Sequence, residues 1–289
     1  MNYRHQYHAG NFADVWKHAL LLPLLRGMQR KEKGFLFLDT HAGRGRYDLA
    51  ESETGDSRER KPEYPEGIGR LWNATELPSE LKSYVELVKH FDRGEGNMAP
   101  QPRFYPGSPW LAQMVMRAQD RLALCELHPE EHEALRASFA GVRDVSVHAL
   151  DGYKGLRAMI PPLEKRALAL IDPPFEEKDE FTRIVGEIRE CLRRMPAVTI
   201  AVWYPLTERA GADAFLDQVA MAMAQPCFAA ELTVAGPGSA LRMRGCGLLV
   251  VNPPWQIEAE LRPLIEGLPK ILAQGPGATG RLVWIVREK

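Results

Sequence analysis

The sharpest chemistry in this chain is a tetrapeptide, Asp172-Pro173-Pro174-Phe175, that closes the apolar run Ala167–Ile171. An exocyclic amine on a nucleobase is flat and a poor nucleophile, because its lone pair is delocalised into the ring. A carboxylate and a main-chain carbonyl that both accept its N–H groups favour a tetrahedral nitrogen with its lone pair free for an electrophile. Proline at 173 keeps its carbonyl as an acceptor while its fixed φ stiffens the turn. Phe175 offers a face on which a base extruded from its stack can lie, a contact worth ~1–3 kcal/mol.

Other strand ends add to this reading. The loop His41-Ala42-Gly43-Arg44-Gly45 follows the apolar run 35–39, and its glycines let a ligand approach the backbone closely. It lacks the full spacing of a dinucleotide fingerprint. Glu126 ends a second run, where a carboxylate can accept from both hydroxyls of a ribose. Asp151-Gly152 ends a third, where an acid can meet an adenine amine. Each acid alone is as well explained as a cap on the following helix. Four such ends in order predict a ligand along one sheet edge.

The elements that must hold these residues alternate. Strands are predicted at 35–39, 121–126, 145–150, 167–171 and 198–203, with later apolar runs at 231–235, 247–251 and 281–286. Helical patterns lie between them at 129–139, 179–194, 208–224 and Ile257–Leu272. Runs apolar throughout, alternating with helices, predict an α/β, Rossmann-like, doubly wound parallel sheet. Gly45 and Arg121 are much farther apart than one crossover needs. Residues 51–101 are therefore read as an inserted small helical subdomain, carrying one clear helix at 79–91, with 1–50 and 102–289 forming the main domain. Ser108, followed by Pro109, is expected to cap the helix after the insertion.

Three features imitate sites. Asn252-Pro253-Pro254-Trp255 matches the amide form of the proline-rich motif and follows a strand, but no glycine loop stands after it in the permuted order it would require. It is read as a structural turn. Cys227 follows a proline yet falls between a helix and a late strand, so a buried thiol is expected. His128 and His132 have metal-like spacing without a third ligand, so no metal is expected.

The whole chain carries a net charge of −1, and 26% of its residues are charged against 45% hydrophobic, which excludes a disordered or fibrous protein. Four cysteines without paired spacing fit a reducing compartment. No apolar run approaches a membrane span or a leader, so a cytoplasmic protein is expected. Charge is uneven: residues 1–34 carry +4 and residues 51–66 carry −3. The basic stretch either attracts phosphates or is an ordinary solvated face. Tyr3, His5, His8, Asn11, Asp14, Lys17 and His18 crowd polar chemistry into its start, with Asp14 and His18 spaced to share a helix face.

Taken together, Tyr3-Arg4-His5, His8-Ala9-Gly10-Asn11-Phe12-Ala13-Asp14-Val15, Lys17-His18, Asp39-Thr40-His41-Ala42-Gly43, Tyr105-Pro106-Gly107-Ser108-Pro109 and Asp172-Pro173-Pro174-Phe175 closely resemble a bacterial family. That family, of the RlmJ type, methylates N6 of one adenine in 23S ribosomal RNA with S-adenosyl-L-methionine. The resemblance covers essentially the whole chain, and its N-terminal part is more specific than the proline-rich motif. It implies a class I methyltransferase fold; a monomer is expected. His18, His41, Gly43, Ser108, Glu126, Asp151, Gly152 and Asp172 would line the cofactor site, and Asp172 would also accept from the target amine. Tyr3, His5 and Lys17 would form the catalytic N-terminal element, with Tyr3, Pro173 and Phe175 at the base. Phe175 stands where many adenine methyltransferases carry tyrosine, so stacking is kept and a hydroxyl is absent. Two other functions share these features, a DNA adenine-N6 methyltransferase and a non-catalytic RNA-binding protein that retains the fold.

Overall fold

A computed structural model describes residues 7–51 and 61–287. The chain opens with helix α1 (Phe12–Gln29), started by Asn11, whose side-chain oxygen accepts from the Ala13 and Asp14 amides. Almost every residue of α1 is buried, including Asp14, Lys17 and His18, so it is a central helix and not a surface one. Strand β1 (Leu36–Asp39) follows, then the short strand β2 (Arg46–Asp48). The chain then leaves for a 3₁₀ turn and two helices, α2 (Ile68–Trp72) and α3 (Ser79–Gly94), and returns through β3 (Phe104–Pro106), antiparallel to β2. Leu81, Tyr84, Val85 and Val88 of α3 share one apolar core with α1.

From there the alternation is regular: α4 (Ser108–Val115), β4 (Arg121–Cys125), α5 (Pro129–Ser138), β5 (Val145–His148), α6 (Gly152–Met159), β6 (Ala167–Ile171), α7 (Glu180–Arg194), β7 (Thr199–Pro205), α8 (Arg209–Ala222) and β8 (Cys227–Thr233). The chain ends with β9 (Gly245–Val251), α9 (Ile257–Leu272) and β10 (Thr279–Val286). The eight long strands form one mixed Rossmann-like sheet in the order β10-β8-β9-β7-β6-β1-β4-β5.

The sheet departs from the all-parallel expectation. β9 inserts between β7 and β8 and runs against both, and β10 runs against β8 at the edge. Apolarity fixes burial on both faces but not strand direction, so the composition of 247–251 could not reveal the reversal. The strand expected at 231–235 begins four residues earlier, at Cys227.

Strand residues alternate between two cores. Phe35, Phe37, Ala201, Phe228 and Ala230 face α1, α3, α4, α5 and α9, whereas Leu36, Leu38, Ile200, Val202 and Ala229 face α6, α7 and α8. Among the described residues, no helix is long and apolar enough to cross a membrane.

Candidate active site

The carboxyl ends of β1, β4, β5 and β6 place Asp39, Glu126, the 149–151 turn and Asp172 along one edge of the sheet. Asp172 is met there by Lys17 from the second turn of α1, with Lys17 Nζ 2.6 Å from Asp172 Oδ2. The same ammonium lies 3.0 Å from Asp14 Oδ1, and Asp14 Oδ2 accepts from the Gly10 amide at 3.0 Å. Burial works against the Lys17 ammonium, but Asp14 and Asp172 outweigh it and hold its pKa well above the usual lysine value. Lys17 is therefore a fixed cation. Among the described residues Asp172 is met at Oδ2 by Lys17, and its Oδ1 oxygen is open to a second donor.

The backbone after Asp172 turns sharply. Pro173 is buried, and Phe175 holds φ +50°, a left-handed conformation that costs a non-glycine residue energy. The Phe175 ring lies 5.1 Å from that of Phe181 and meets Trp203 edge-on at 5.9 Å. The β6–β7 register pairs Ile171 with Val202, which puts Trp203 beside Asp172. Trp203 was not singled out in the sequence, where it reads only as the end of an apolar run.

At the end of β1 the structure corrects one expectation. Ser108 does not cap α4; Gly107 holds that position without a side-chain bond. The Ser108 hydroxyl donates instead to Asp39 Oδ2 at 2.6 Å. Burial lifts the Asp39 carboxyl to about 6, with Ser108 opposing the rise. Asp39 was legible only as part of a motif, and its role needs the return of the chain from β3 to be seen. His41 bonds the Thr40 hydroxyl at 2.8 Å, and burial depresses its pKa to about 4, so the ring is neutral near pH 7. Tyr153 presents its ring edge to His41, and the Arg183 guanidinium lies over Tyr153 at 4.0 Å.

The glycine loop is tied to the next strand. Glu126 Oε2 accepts from the Gly43 amide at 2.9 Å and Oε1 from the His128 amide at 2.7 Å. These two bonds fix the carboxylate while leaving each oxygen further accepting capacity. Gly43 sits at φ +59°, and a Cβ there would come within 2.3 Å of the Tyr47 hydroxyl. Leu127 adds an exposed apolar side chain beside Glu126. Asp151 does cap α6, accepting from the Lys154 amide at 3.0 Å, and it also receives Arg183 at 3.3 Å. Gly152 packs so closely that a Cβ would stand 2.1 Å from the Thr40 carbonyl oxygen, which brings the start of α6 against the end of β1.

The His18 side chain turns toward β3. Its Nδ1 lies 2.7 Å from the Tyr105 hydroxyl, which bonds Tyr84 at 2.9 Å. Lys17, Asp172, His41, Ser108, Glu126, Gly43, Asp151 and Gly152 thus converge on one edge, with His18 linked to it through β3. Tyr3 and His5 lie outside the described residues.

Comparison with known proteins gives the class. A family model described as ribosomal RNA large subunit methyltransferase D, RlmJ, matches residues 32–286. The ribosomal RNA large subunit methyltransferase J of Haemophilus influenzae is 37% identical over 288 residues, and that of Escherichia coli K12 is 38% identical over 290, each match spanning the full length of both chains. A crystal structure of a Legionella pneumophila protein superposes with a TM-score of 0.84 at 34% identity, covering 98% of this chain and 99% of that one. The molecule is an enzyme, a methyltransferase dependent on S-adenosylmethionine. More narrowly, the chain belongs to the large-subunit ribosomal RNA methyltransferase J family.

Proposed function

We propose that this chain transfers the methyl group of S-adenosylmethionine to N6 of a specific adenine in 23S ribosomal RNA, on a class I methyltransferase sheet bearing a helical insertion. The observation that carries the reading is the Lys17–Asp172 pair at the end of β6, beside an aromatic pair and next to the glycine loop. The cofactor, when bound, supplies an electrophilic methyl on a sulfonium.

The edge suits that cofactor. Glu126, anchored by two amides, keeps acceptor capacity for ribose hydroxyls, while Asp151 stands where an adenine amine can be met. Leu127 offers an apolar cover for the adenine face. Asp39 gives the cationic methionine end a buried carboxylate, with Ser108 fixing its orientation. His41, His18, Gly43 and Gly152 shape the remaining wall.

On the substrate side, Asp172 Oδ1 accepts one N–H of the target amine and the Pro173 carbonyl accepts the other, which turns the nitrogen lone pair toward the methyl. Lys17 holds Oδ2 and so fixes the carboxylate plane. Phe175 presents its face to the base, and Tyr3 and His5, outside the described residues, are assigned to catalysis by the motif resemblance. Most of the acceleration comes from orientation in a dry site. The proton released from N6 after transfer passes to Asp172 Oδ1 and then to water.

Labelled methyl transfer to unmodified 23S rRNA, and to RNA and DNA oligonucleotides of matched sequence, tests this. Product mapping should find N6-methyladenine at one position in RNA. Equal transfer to DNA, or a methyl on another base, would reject it.

A further inference from the structure

The residues flanking Asp172 differ in charge on the two faces of the sheet. Toward the α7 face the chain continues through Glu176, Glu177, Lys178 and Asp179, all exposed and together net −2. On the α1 face lies the connection between β8 and β9, residues 234–244. Met243 packs into the α1-side core, Arg242 is exposed and Arg244 is half-buried. The connection is held by the backbone: the Val234 amide donates to the Arg244 carbonyl at 2.8 Å, and the Leu206 amide to that of Gly245 at 2.9 Å.

Register places this connection near the site. Cys246, two residues beyond Arg244, pairs with Pro205 of β7, and Trp203 of the same strand stands beside Asp172. Arg244 is thus two strand spacings, roughly 10 Å, to the side of Asp172 and four residues, roughly 13 Å, beyond it along the strand direction, so it stands ~16 Å from Asp172. Cys246 itself is buried on this side of the site: burial raises the pKa of its thiol, and the charges of Lys17, Asp172 and Asp14 act on it.

Most arginines in the described residues answer a carboxylate. Arg209 and Arg281, for instance, both bind Glu231 on the neighbouring strand. Among the described residues, neither Arg242 nor Arg244 has an ion pair or a side-chain hydrogen bond. Two unanswered guanidiniums beside the reactive edge, opposite an acidic loop, suit a polyanion on one side only.

We infer that Arg242 and Arg244 hold backbone phosphates of the substrate RNA next to the target base. The strand then crosses the edge on the α1 face and keeps clear of residues 176–179. This rests on the RNA reading above and adds the path of the RNA, which the family assignment leaves open.

The test uses the full chain and an unmodified 23S rRNA transcript. Arg242→Ala with Arg244→Ala should weaken RNA binding about tenfold or more near ~0.1 M salt and flatten log affinity against log salt by about 1.4–1.8, two phosphate contacts' worth. Arg242→Lys with Arg244→Lys should keep most of that slope, since the charge remains. Glu176→Gln with Glu177→Gln should leave RNA affinity unchanged or raise it. S-adenosylmethionine affinity and melting temperature should hold in all three, which separates contact from folding. Parental affinity and slope in the alanine pair overturn the inference, as does a larger loss from the glutamine pair. A parental enzyme that methylates 23S rRNA while the alanine pair binds normally rejects this path alone; a parental enzyme inert on 23S rRNA rejects the functional reading as well.

Discussion

The chain carries two nearly identical loops, Asp172-Pro173-Pro174-Phe175 and Asn252-Pro253-Pro254-Trp255, each after a buried apolar strand. Each also contains a non-glycine residue at positive φ, Phe175 at +50° and Asn252 at +48°. Their surroundings are opposite. β6 runs with β1, so its end delivers Asp172 to the edge that carries Asp39 and Glu126. β9 runs against β7, with Val251 beside Ile200 near the start of that strand, so Asn252 emerges at the far edge. There its Nδ2 donates to the carbonyls of Pro196 and Val198, both at 2.9 Å, while its own carbonyl accepts from Thr199 at 2.9 Å. One motif turns its polar group outward to a charged partner; the other spends it on the backbone. Strand direction, not motif, decides which loop can do chemistry.

The largest expected effect comes from exchanging the acid for its amide at the first loop. Asp172→Asn should keep the fold, because the side chain is nearly isosteric and lies at a strand end. It should bind S-adenosylmethionine normally and lose about 10²–10³ in turnover, the scale of removing one group that acts mainly in the transition state. Lys17 would then face a neutral amide, and the NH₂ end competes with the target amine. Single-turnover methylation of 23S rRNA alongside cofactor calorimetry measures both. Turnover within a few-fold of the parent would erase the distinction between the loops.

Next in size is a cofactor contact on the same edge. Glu126→Ala removes a carboxylate fixed by Gly43 and His128, and charge-assisted bonds of this kind are worth ~1.5–3 kcal/mol. S-adenosylmethionine affinity should fall about tenfold or more, with thermal stability changing far less. An unchanged affinity would take Glu126 out of the site and narrow the functional edge to the Asp172 end.

Much of this division was readable in advance. The strands at 35–39, 121–126 and 167–171 announced themselves by unbroken apolarity, and the strand-end acids followed from them. The Asn252 loop could be set aside from chain order alone. What could not be read was anything that depends on chain return. Ser108 looks like a helix cap until β3 brings it to Asp39, and Trp203 looks like core until the β6–β7 register sets it beside Asp172. The reversal of β9 was equally hidden, since a strand buried on both faces has the same composition in either direction. Lys17 stood out through the resemblance of its neighbourhood, whereas its partner Asp14 was legible only as a helix residue. Burial of the two together is a tertiary fact.

A smaller effect is expected from pH. The Asp39 carboxyl is lifted to about 6 by burial, above the ~3.9 of an unfolded chain. A raised carboxyl favours the fold while protonated, so its contribution is present below pH ~4 and fades as pH rises through about 6. A cationic ligand reverses the preference and binds the ionised form. Affinity for S-adenosylmethionine should therefore drop about tenfold from pH 7 to pH 5, one pH unit below the Asp39 value. His41, depressed to about 4, stays neutral over this window and adds nothing. Asp39→Asn should flatten the profile, and any step it retains belongs to Glu126, which burial also raises. A profile of undiminished steepness in that variant would remove Asp39 from the methionine end.

The smallest effect on turnover is predicted at the second loop, by the reciprocal exchange. Asn252→Asp keeps the shape and the tolerance of positive φ, since aspartate visits the left-handed region almost as readily as asparagine. It replaces an NH₂ group that donates to two carbonyls with an oxygen that repels both. Loss of those bonds should cost about 1–3 kcal/mol of stability, or a fall of roughly 2–8 °C in melting temperature for a chain of this size. The reactive edge lies at the other end of the sheet, so turnover per folded molecule and affinity for S-adenosylmethionine should match the parent. The pair of exchanges thus crosses over: the amide at 172 spares the fold and stops the chemistry, and the acid at 252 weakens the fold and spares the chemistry. Melting curves and initial rates on the same two preparations decide it. A loss of turnover at 252 beyond the folded fraction would mean that the two edges communicate through β9 and β7, and strand direction alone would no longer account for the difference between the loops.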